Sequence, residues 1–462
     1  MNSAAIEMTE QKLQTETAPL RTLIVGLGLT GLSCARYLQA HNVPVVIIDS
    51  RRHPPGLAML REQMFGVSVV TGGFDPRVFA SAERVVVSPG ISIQEPQIRA
   101  ARERGVEVVG DIELFAREVK APVAAITGSN GKSTVTTLLG EMARRAGSEV
   151  AVGGNIGLPV LDLLSERVEL YLLELSSFQL ETTQSLKPRV AAVLNLSADH
   201  LDRYDGIEAY AEAKRAIYNG AQIRLFNLDD PRVMAMRGQP QANDLFFTLQ
   251  GTDSPHLFGV NEQGGEPWLC RGRQALLPVS ALQLPGRHNR ANALAALALG
   301  VALELPMPAM LETLRDFSGL PHRTQFIAEH AGVRWYNDSK ATNVGACVAA
   351  LEGMADDVGC IVLIAGGESK DADFSELAAV VERTVRAVVL IGRDAALIED
   401  ALAGVVPVAR AADMDAAVAR ADELARPGDA VLLSPACASF DMFQNFGQRG
   451  VAFSDAVRRL TA

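Results

Sequence analysis

The chain has 462 residues, of which 48% are hydrophobic, a length typical of about three domains of roughly 150 residues and a composition sufficient for several cores. Its formal net charge is −11 and it contains no run of Lys and Arg, which argues against a nucleic-acid-binding surface. The five cysteines have no C-x-x-C spacing, so we expect unpaired thiols in a reducing cytoplasm and no metal–thiolate site.

The first predicted unit is a nucleotide-binding α/β sheet. Residues 1–20 lack the hydrophobic stretch of a secretory signal and are expected to form a flexible tail. From residue 21 to 110, β-branched runs alternate with helical patterns, which predicts a doubly wound parallel sheet. Gly26, Gly28 and Gly31 fit G-x-G-x-x-G between a strand and a helix, and Asp49 ends the next strand. This predicts a diphosphate beside a ribose; NAD and a UDP-sugar both satisfy it.

The second unit, residues 111–320, begins with a phosphate-loop pattern. The buried-strand run 123–126 leads into TGSNGKST (127–134), and a helical pattern follows over 135–143. Glycines let backbone N–H groups turn towards a phosphate, Lys132 adds a positive charge, and the Ser133 hydroxyl can reach a magnesium ion. The loop therefore predicts a nucleoside-triphosphate site. It departs from G-x-x-x-x-G-K-[ST], because the first glycine stands at position 128 rather than 126.

Four further polar residues of this unit have a functional and a structural interpretation. Glu174 ends a predicted strand, where a magnesium ligand or a water-positioning group is expected. His200 follows another strand, and a structural role and a ligand role are equally well supported. Lys214, taken alone, is expected to be solvated. Asn289 is expected to cap the following helix, to contact a ligand, or both.

The remainder of the chain continues the α/β pattern. Residues 225–285 are polar and glycine-punctuated, which predicts a small antiparallel piece. The run 291–303 is too short to span a bilayer, which takes about 20 apolar residues, and predicts a packed helix. In the third unit, residues 321–462, the segment NDSKATN (337–343) follows a strand. Asp338 or Ser339 could cap the next helix, although the density of polar groups favours a ligand contact.

Several segments together resemble the Mur ligase family. They are TGSNGKST (127–134), GGNIG (153–157), LELSSFQLE (173–181), LPGRHNRANA (284–293), GLPHR (319–323), NDSKATN (337–343) and LSPACASFDMFQNFGQRG (433–450). The resemblance extends from residue 23 to the carboxyl terminus, and G-x-x-G-K-[ST] is the usual form of the loop in this family. NDSKATN resembles the branch that adds D-glutamate.

The resemblance implies three tandem α/β domains with mainly parallel sheets. These are a Rossmann-like domain (21–110) for the UDP-substrate, a P-loop-type ATPase domain (111–320), and a Rossmann-like domain (321–462) for the amino acid. The implied reaction is ATP-dependent ligation of D-glutamate to UDP-N-acetylmuramoyl-L-alanine through an acyl phosphate, in cytoplasmic peptidoglycan precursor synthesis, which supports cell shape and division. ATP and two Mg²⁺ ions are the implied cofactors, and a monomer without nucleic-acid or membrane partners is expected.

The resemblance also assigns site residues by position. The UDP-substrate residues are Leu29, Thr30, Asp49, Ser50, Arg51, Gly90, Asn155 and His200. The ATP residues are Gly128, Ser129, Asn130, Gly131, Lys132, Ser133, Thr134, Asn289, Arg323 and Asp338. The D-glutamate residues are Thr342, Lys370, Ser439 and Phe446. The metal residues are Ser133, Glu174, His200 and Lys214, the last of them carbamylated. The catalytic residues are Lys132, His200, Lys214 and Lys340.

Three other functions compete with this interpretation. The first is a different Mur-type or folylpolyglutamate-type ligase, against which NDSKATN argues. The second is a Rossmann-type dehydrogenase fused to a regulatory NTPase, which would bind NAD and form no amide. The third is a nucleotide-switched interaction protein, which would leave the polar strand ends without a role.

Overall fold

The computed structural model describes residues 22–197, 203–284, 286–355, 358–369 and 372–461. The predicted tail and two predicted site residues, His200 and Lys370, lie outside the described residues. The strands are β1 (Thr22–Val25), β2 (Val45–Asp49), β3 (Ser68–Thr71), β4 (Arg84–Val87), β5 (Glu107–Val109), β6 (Val123–Thr127), β7 (Val150–Gly154), β8 (Leu170–Glu174), β9 (Val190–Val193), β10 (Ile223–Asn227), β11 (Leu245–Phe247), β12 (Leu257–Gln263), β13 (Glu266–Arg271), β14 (Gln274–Pro278), β15 (Gln325–His330), β16 (Val333–Asn337), β17 (Ile361–Gly366), β18 (Val385–Ile391), β19 (Val408–Arg410) and β20 (Ala430–Leu433).

The α-helices are α1 (Leu29–Ala40), α2 (Leu57–Gln63), α3 (Pro76–Ala80), α4 (Pro96–Glu103), α5 (Asp111–Glu118), α6 (Lys132–Arg145), α7 (Ser177–Leu180), α8 (Ile207–Arg215), α9 (Pro231–Ala235), α10 (Arg287–Ala302), α11 (Met307–Asp316), α12 (Val344–Met354), α13 (Ser375–Thr384), α14 (Ala395–Ala401), α15 (Met414–Leu424) and α16 (Phe446–Thr461). Contacts divide the chain into two compact units. The first comprises Met1–Thr127, Val150–Arg189 and Asp202–Gln222, and the second comprises Gly128–Glu149, Val190–Leu201 and Ile223–Ala462.

The first unit contains a parallel five-stranded sheet in the order β3-β2-β1-β4-β5. β1 is fully buried and pairs in parallel with β2 and β4. Strands of such sheets are continuous apolar runs because helices cover both faces. The strand order reverses between β1 and β4, and ligands of doubly wound sheets bind beyond the carboxyl ends of the strands at this point. The predicted doubly wound parallel sheet is confirmed.

The first unit also contains three parallel strands in the order β7-β8-β6. β6 and β8 are buried along their whole length. Because parallel strands point the same way, their last residues, Gly154, Glu174 and Thr127, lie at one edge. That edge carries the predicted metal residue Glu174.

In the second unit, β9 to β12 are parallel neighbours, and β12, β13 and β14 form an antiparallel meander. The antiparallel piece predicted within residues 225–285 is therefore confirmed. Helix α10 is buried along most of its length and packs against α6, which confirms the packed helix predicted for residues 291–303. Among the described residues, no helix is long and apolar enough to cross a bilayer.

The second unit continues with a six-stranded sheet in the order β15-β16-β20-β17-β18-β19. β15 and β16 form an antiparallel hairpin, and the other neighbours are parallel. Successive residues of β17 belong to different hydrophobic clusters, Leu363 to one and Ile364 to the other. Since side chains alternate across a strand, both faces of this sheet are covered, as expected for an α/β domain.

Candidate active site

The first site segment is the glycine fingerprint, which is organised by Asp49 at the end of β2. The Asp49 side chain is fully buried, and it accepts a hydrogen bond from the Leu27 amide at 2.7 Å. Arg51 donates to it from the backbone N (2.9 Å), Nε (2.9 Å) and Nη2 (2.7 Å). Burial alone would raise the pKa of Asp49, but the hydrogen bonds from Arg51 and Leu27 hold the pKa below its ordinary value. Asp49 is therefore ionised, and it holds the loop through its hydrogen bond with the Leu27 amide.

The turn after β4 packs directly on this fingerprint. Ser88 Oγ donates to the Gly26 carbonyl at 3.0 Å. Gly26 has φ +98°, and a Cβ there would lie 3.0 Å from Ser88 Cβ, so only glycine fits. Gly90, in the same turn, is exposed and faces open space. Leu29, which begins α1, is 68% exposed.

The predicted UDP-substrate residues of this sheet thus lie at or just after the carboxyl ends of β1, β2 and β4. They are Leu29, Thr30, Asp49, Ser50, Arg51 and Gly90. The strand order of the sheet brings them to one edge, as the fingerprint predicts.

A second cluster of the first unit contains Glu174. Its side chain is buried, and Oε1 accepts a hydrogen bond from Asn155 Nδ2 at 2.8 Å. The backbone N–H of Asn155 also donates to the backbone carbonyl of Glu174 at 2.7 Å. Gly154 makes this approach possible, because a Cβ there would lie 2.3 Å from the Glu174 carbonyl oxygen. The structure therefore brings together a predicted metal residue and a predicted substrate residue.

Lys214 lies in the same unit, and it is not the solvated lysine that its sequence context predicts. It is 1% exposed, and its Nζ donates to Thr127 Oγ1 at 3.1 Å and lies 4.7 Å from the centroid of the Tyr210 ring. Thr127 in turn donates to the Leu175 carbonyl at 2.7 Å. The prediction fails because a helical pattern does not show that this face of α8 is covered.

The phosphate loop of the second unit ends at the start of α6. Gly131 has φ +80° and is the N-cap residue, and Lys132 is the first helical residue. Lys132 Nζ donates to the carbonyls of Gly128 (2.8 Å) and Ser129 (2.9 Å). The lysine amine is thus folded back over the loop. The first-turn amides of a helix, here Lys132 to Thr134, have no intrahelical acceptors and suit an anion.

Asn195, which follows β9, holds the loop in shape. Its carbonyl accepts from the Ser129 amide at 2.9 Å, and its Oδ1 accepts from the Asn130 amide at 2.8 Å. Its Nδ2 donates to the Asn130 carbonyl at 3.0 Å. Ser197 and Ser129 are also hydrogen-bonded to each other. The position of Asn195 at the carboxyl end of a predicted strand marks it as a polar residue near a ligand, but its contacts with the loop have no signature in the sequence.

Asn289 lies on the buried face of α10 and does not cap the helix. The N-cap is Gly286, so the capping interpretation is wrong. Asn292, three residues further along the same face, donates from Nδ2 to Asn289 Oδ1 at 3.4 Å. A Cβ at Gly131 would lie 2.4 Å from Asn292 Oδ1. The two asparagines therefore lie beside the phosphate loop.

Arg323 reaches the phosphate loop from a strained turn. Its Nη2 donates to Ser133 Oγ at 2.9 Å. The residues on either side, His322 (φ +63°) and Thr324 (φ +45°), both have left-handed backbones. Such strain persists where the surrounding structure imposes it, frequently at functional sites. Two predicted ATP-site residues, Arg323 and Ser133, are thus in contact.

Asp338 supports that turn. Its Oδ1 accepts from the Thr324 amide at 3.0 Å, and its Oδ2 accepts from Ser434 Oγ at 2.9 Å. Burial raises the pKa of Asp338 to about 7, although these hydrogen bonds oppose the shift. The prediction that Asp338 or Ser339 caps the following helix is wrong. Asn343 caps α12, accepting from the Ala346 amide at 2.8 Å, because the chain runs further before the helix begins.

The described D-glutamate residues follow two strands of the last sheet, β16 and β20. Lys340 Nζ lies 4.2 Å from the centroid of the Phe446 ring, and the Thr342 amide donates to the Lys340 carbonyl at 2.8 Å. Ser439 is buried, and its carbonyl accepts from the Phe443 amide at 2.8 Å. Lys340, Thr342, Ser439 and Phe446 therefore belong to ordered segments.

Arg449 holds these segments together, although no predicted role falls on this residue. The side chain is 1% exposed. Nη2 donates to the Ser339 carbonyl at 2.8 Å, and Nη1 donates to the Cys437 carbonyl at 3.1 Å. Ser339 Oγ donates to the Phe446 carbonyl at 2.8 Å. Burial lowers the pKa of Arg449 to about 10, at which the guanidinium is still charged at neutral pH.

Models of three domain families match successive parts of the chain. They are described as Mur ligase MurD-like, N-terminal domain (residues 20–110), Mur ligase middle domain (126–300), and Mur ligase, glutamate ligase domain (322–437).

Curated relatives match over almost the whole chain. The UDP-N-acetylmuramoylalanine–D-glutamate ligase of Nitrosococcus oceani is 54% identical, over 98% of this chain and 99% of its own length. The protein of the same name from Pseudomonas aeruginosa is 52% identical, over 95% and 98%.

Solved structures share the fold at much lower identity. The UDP-N-acetylmuramate-alanine ligase MurC of Thermotoga maritima matches with a TM-score of 0.57 and 17% identity, over 95% of this chain and 99% of that chain. The folylpolyglutamate synthase of Mycobacterium tuberculosis matches with a TM-score of 0.55 and 17% identity, over 75% and 92%.

Proposed function

Because the chain belongs to the Mur ligase family, we propose that it joins D-glutamate to UDP-N-acetylmuramoyl-L-alanine while ATP is converted to ADP and phosphate. The observation that carries this proposal is the 54% identity, over 98% of the chain, to a relative named for that reaction. The three-dimensional arrangement of the phosphate loop supports it. The product is a peptidoglycan precursor, and we place the reaction in the cytoplasm, with the chain acting as a monomer.

The three predicted domains take one substrate each in this proposal. Residues 21–110 bind the UDP portion, residues 111–320 bind ATP, and residues 321–462 bind D-glutamate. Asp49 orders the glycine fingerprint, and this supports the assignment of the UDP portion to residues 21–110. The turn of the fingerprint leaves room for a diphosphate at the N-terminus of α1. Lys132, with the first-turn amides of α6, supports the assignment of ATP to residues 111–320.

The first chemical step is phosphoryl transfer. A carboxylate oxygen of UDP-N-acetylmuramoyl-L-alanine attacks the γ-phosphorus, the bond to the β,γ-bridging oxygen breaks, and ADP leaves with that electron pair. The product is an acyl phosphate. Lys132 offsets the negative charge that develops on the transferring group, and Arg323 orients the Ser133 hydroxyl.

The donor atoms of the proposed metal residues suit magnesium. Glu174 offers a buried carboxylate whose orientation is held by Asn155, and Mg²⁺ prefers such hard oxygen donors. Bound Mg²⁺ would offset charge on the phosphates. In the described part of the chain, no three His, Cys, Asp or Glu side chains converge on one point. Water and phosphate oxygens would complete the coordination, as is usual for Mg²⁺. We propose Ser133, Glu174, His200 and Lys214 as the metal residues, as the resemblance to the family implies.

Carbamylation of Lys214 fits its surroundings. The Lys214 side chain is 1% exposed, and its ammonium form cannot ligate a metal ion. A carbamate would supply carboxylate-like oxygens, with Thr127 Oγ1 beside the modified nitrogen.

The second chemical step forms the amide. The amine of D-glutamate attacks the acyl-phosphate carbonyl carbon, and a tetrahedral intermediate forms. The nitrogen loses one proton to water, and the carbon–oxygen bond to phosphate breaks as phosphate leaves with that electron pair. We propose that Thr342, Lys370, Ser439 and Phe446 contact D-glutamate, with Lys340 beside the reacting groups. A dry site protects the acyl phosphate from hydrolysis.

The decisive experiment is phosphate release with ATP and UDP-N-acetylmuramoyl-L-alanine, with D-glutamate, L-glutamate and L-lysine offered in turn. We expect release only with D-glutamate, and an amide product by mass spectrometry. Turnover with L-lysine would indicate a different ligase. Tight binding of NAD without any binding of the UDP-substrate would refute the assignment.

A further inference from the structure

Arg203 holds the turn that carries Gly90. Its Nη1 donates to the Pro89 carbonyl at 3.1 Å, and its Nη2 donates to the Ile91 carbonyl at 3.0 Å. These two carbonyls flank Gly90 in sequence. Planar guanidinium donors in a fixed fork suit two carbonyls at once, which an ammonium cannot match. All of these residues belong to the first compact unit.

The other side of the guanidinium rests on residues around α7. Its Nη2 donates to Glu181 Oε2 at 3.3 Å, and its central carbon lies 3.8 Å from the centroid of the Phe178 ring. The two charged side chains are only 13% and 12% exposed. An ion pair this shielded from solvent is screened much less by salt than a surface pair. Arg203 therefore has one defined orientation.

Aromatic stacking extends this support towards α8. The Phe178 ring is stacked on Tyr204, with centroids 5.9 Å apart and an interplanar angle of 19°. Tyr204 contacts Tyr210 at 5.4 Å. Helix α7 itself is fixed by a capping box between Ser176 and Gln179. The aromatic side chains that support Arg203 therefore lie on or next to helices α7 and α8.

A second set of contacts joins the turn to the glycine fingerprint. Ser88 Oγ is bonded to the Gly26 carbonyl, and Ile91 Cγ1 lies 3.2 Å from the position of a Cβ at Gly26. Gly90 is exposed between these two supports and faces open space. A turn that is fixed by two sets of contacts can present its backbone to a ligand with little loss of entropy on binding.

We propose that Arg203 is a positioning residue that pre-orders the 89–91 turn for the UDP-bearing substrate. The inference rests on the proposed function in assigning that substrate to the turn. Arg203 does not touch the substrate in this account, because its Nη groups are already bonded to the turn and to Glu181. Its removal should weaken binding of the UDP portion and leave the ATP and D-glutamate sites unchanged.

The test compares full-length Arg203→Ala and Arg203→Lys with the wild-type protein. Arg84→Ala is the matched control, because Arg84 begins the same strand β4 at its opposite end and pairs with Glu107 at 2.5 Å. Calorimetry gives Kd for UDP and for UDP-N-acetylmuramoyl-L-alanine, and steady-state assays give KM for all three substrates. Because an unanchored turn must be ordered on binding, we expect both Kd values to rise about tenfold in Arg203→Ala. Arg203→Lys should fall between it and the wild type, and KM for ATP and D-glutamate should stay within about twofold.

A purely structural role predicts a different result. It would lower the thermal midpoint in Arg203→Ala and change all three KM values together, and that outcome overturns the proposal, as do unchanged Kd values. Phe178→Leu removes the ring beneath the guanidinium but leaves Arg203 in place. It should raise the Kd for UDP by a smaller factor, and it provides the test if Arg203→Ala does not fold. Turnover by the wild-type protein tests the proposed function separately. Failure of the wild-type protein to bind UDP would overturn both the proposed function and the positioning role of Arg203.

Discussion

Substitution of Gly131 by alanine separates two physical effects at the phosphate loop. Gly131 has φ +80°, which a residue with a Cβ adopts at a cost of about 1–2 kcal/mol. A Cβ there would also lie 2.4 Å from Asn292 Oδ1, closer than real Cβ atoms approach. Gly147, after the other end of α6, has φ +89° with nothing within 4 Å of a Cβ. Gly147→Ala is therefore a matched control for the backbone effect alone.

The expected magnitudes follow from these contacts. Gly147→Ala should lower the free energy of unfolding by about 1–2 kcal/mol through backbone strain. Gly131→Ala adds a forced displacement of Asn292, for which overpacking costs of about 1–3 kcal/mol are typical. Its total cost is therefore about 2–5 kcal/mol. Only Gly131→Ala moves the loop, so only this variant should lose ATP affinity, by at least about tenfold.

Urea unfolding followed by tryptophan fluorescence measures the free energy of unfolding. Both tryptophans, Trp268 and Trp335, lie in the second compact unit with the two glycines. Calorimetric titration with ATP measures the affinity for ATP. The double variant Gly131→Ala/Asn292→Ala should recover the overpacking part of the stability loss and retain the backbone part. Equal destabilisation by the two single alanine variants would refute the steric argument, and unchanged ATP affinity in Gly131→Ala would refute the role of the loop.

Three other predictions test the remaining site. Lys132→Ala should abolish phosphate release while leaving the thermal midpoint close to that of the wild type; near-normal turnover would refute its role in phosphoryl transfer. Lys214→Ala should be inactive, with partial rescue by a short-chain carboxylic acid if a carbamate is the active form, and full activity without rescue would contradict that form. Burial raises the pKa of Asp338 from 3.8 to about 7, so the native state retains a proton that the unfolded chain has lost between these values, and the free energy of unfolding should fall as pH rises through this window. The side chain in Asp338→Asn does not titrate, so the free energy of unfolding of this variant should depend less on pH within this window. An unchanged slope would show that Asp338 is not the source of the pH dependence.

The sequence alone identified features that are local along the chain. The strand, glycine loop and helix around Lys132 occupy consecutive residues, and their conformational preferences are encoded there, so this element could be predicted without tertiary information. The position of Glu174 at a strand end could be predicted for the same reason. Helix boundaries were less accessible: α6 begins at Lys132, three residues before the predicted helical pattern, because Gly131 caps it with its backbone rather than with a side chain.

Only the tertiary structure decided which side chains are buried and what they contact. Lys214 is buried against Thr127, 87 residues away, and Arg203 reaches the Pro89 carbonyl, 114 residues away. Neither contact has a local signature, because a lysine or arginine in a polar segment is compatible with solvent until another element covers it. The phosphate loop was thus determined by its own residues, whereas the burial and the contacts of Lys214 and Arg203 were determined by residues far away in the sequence.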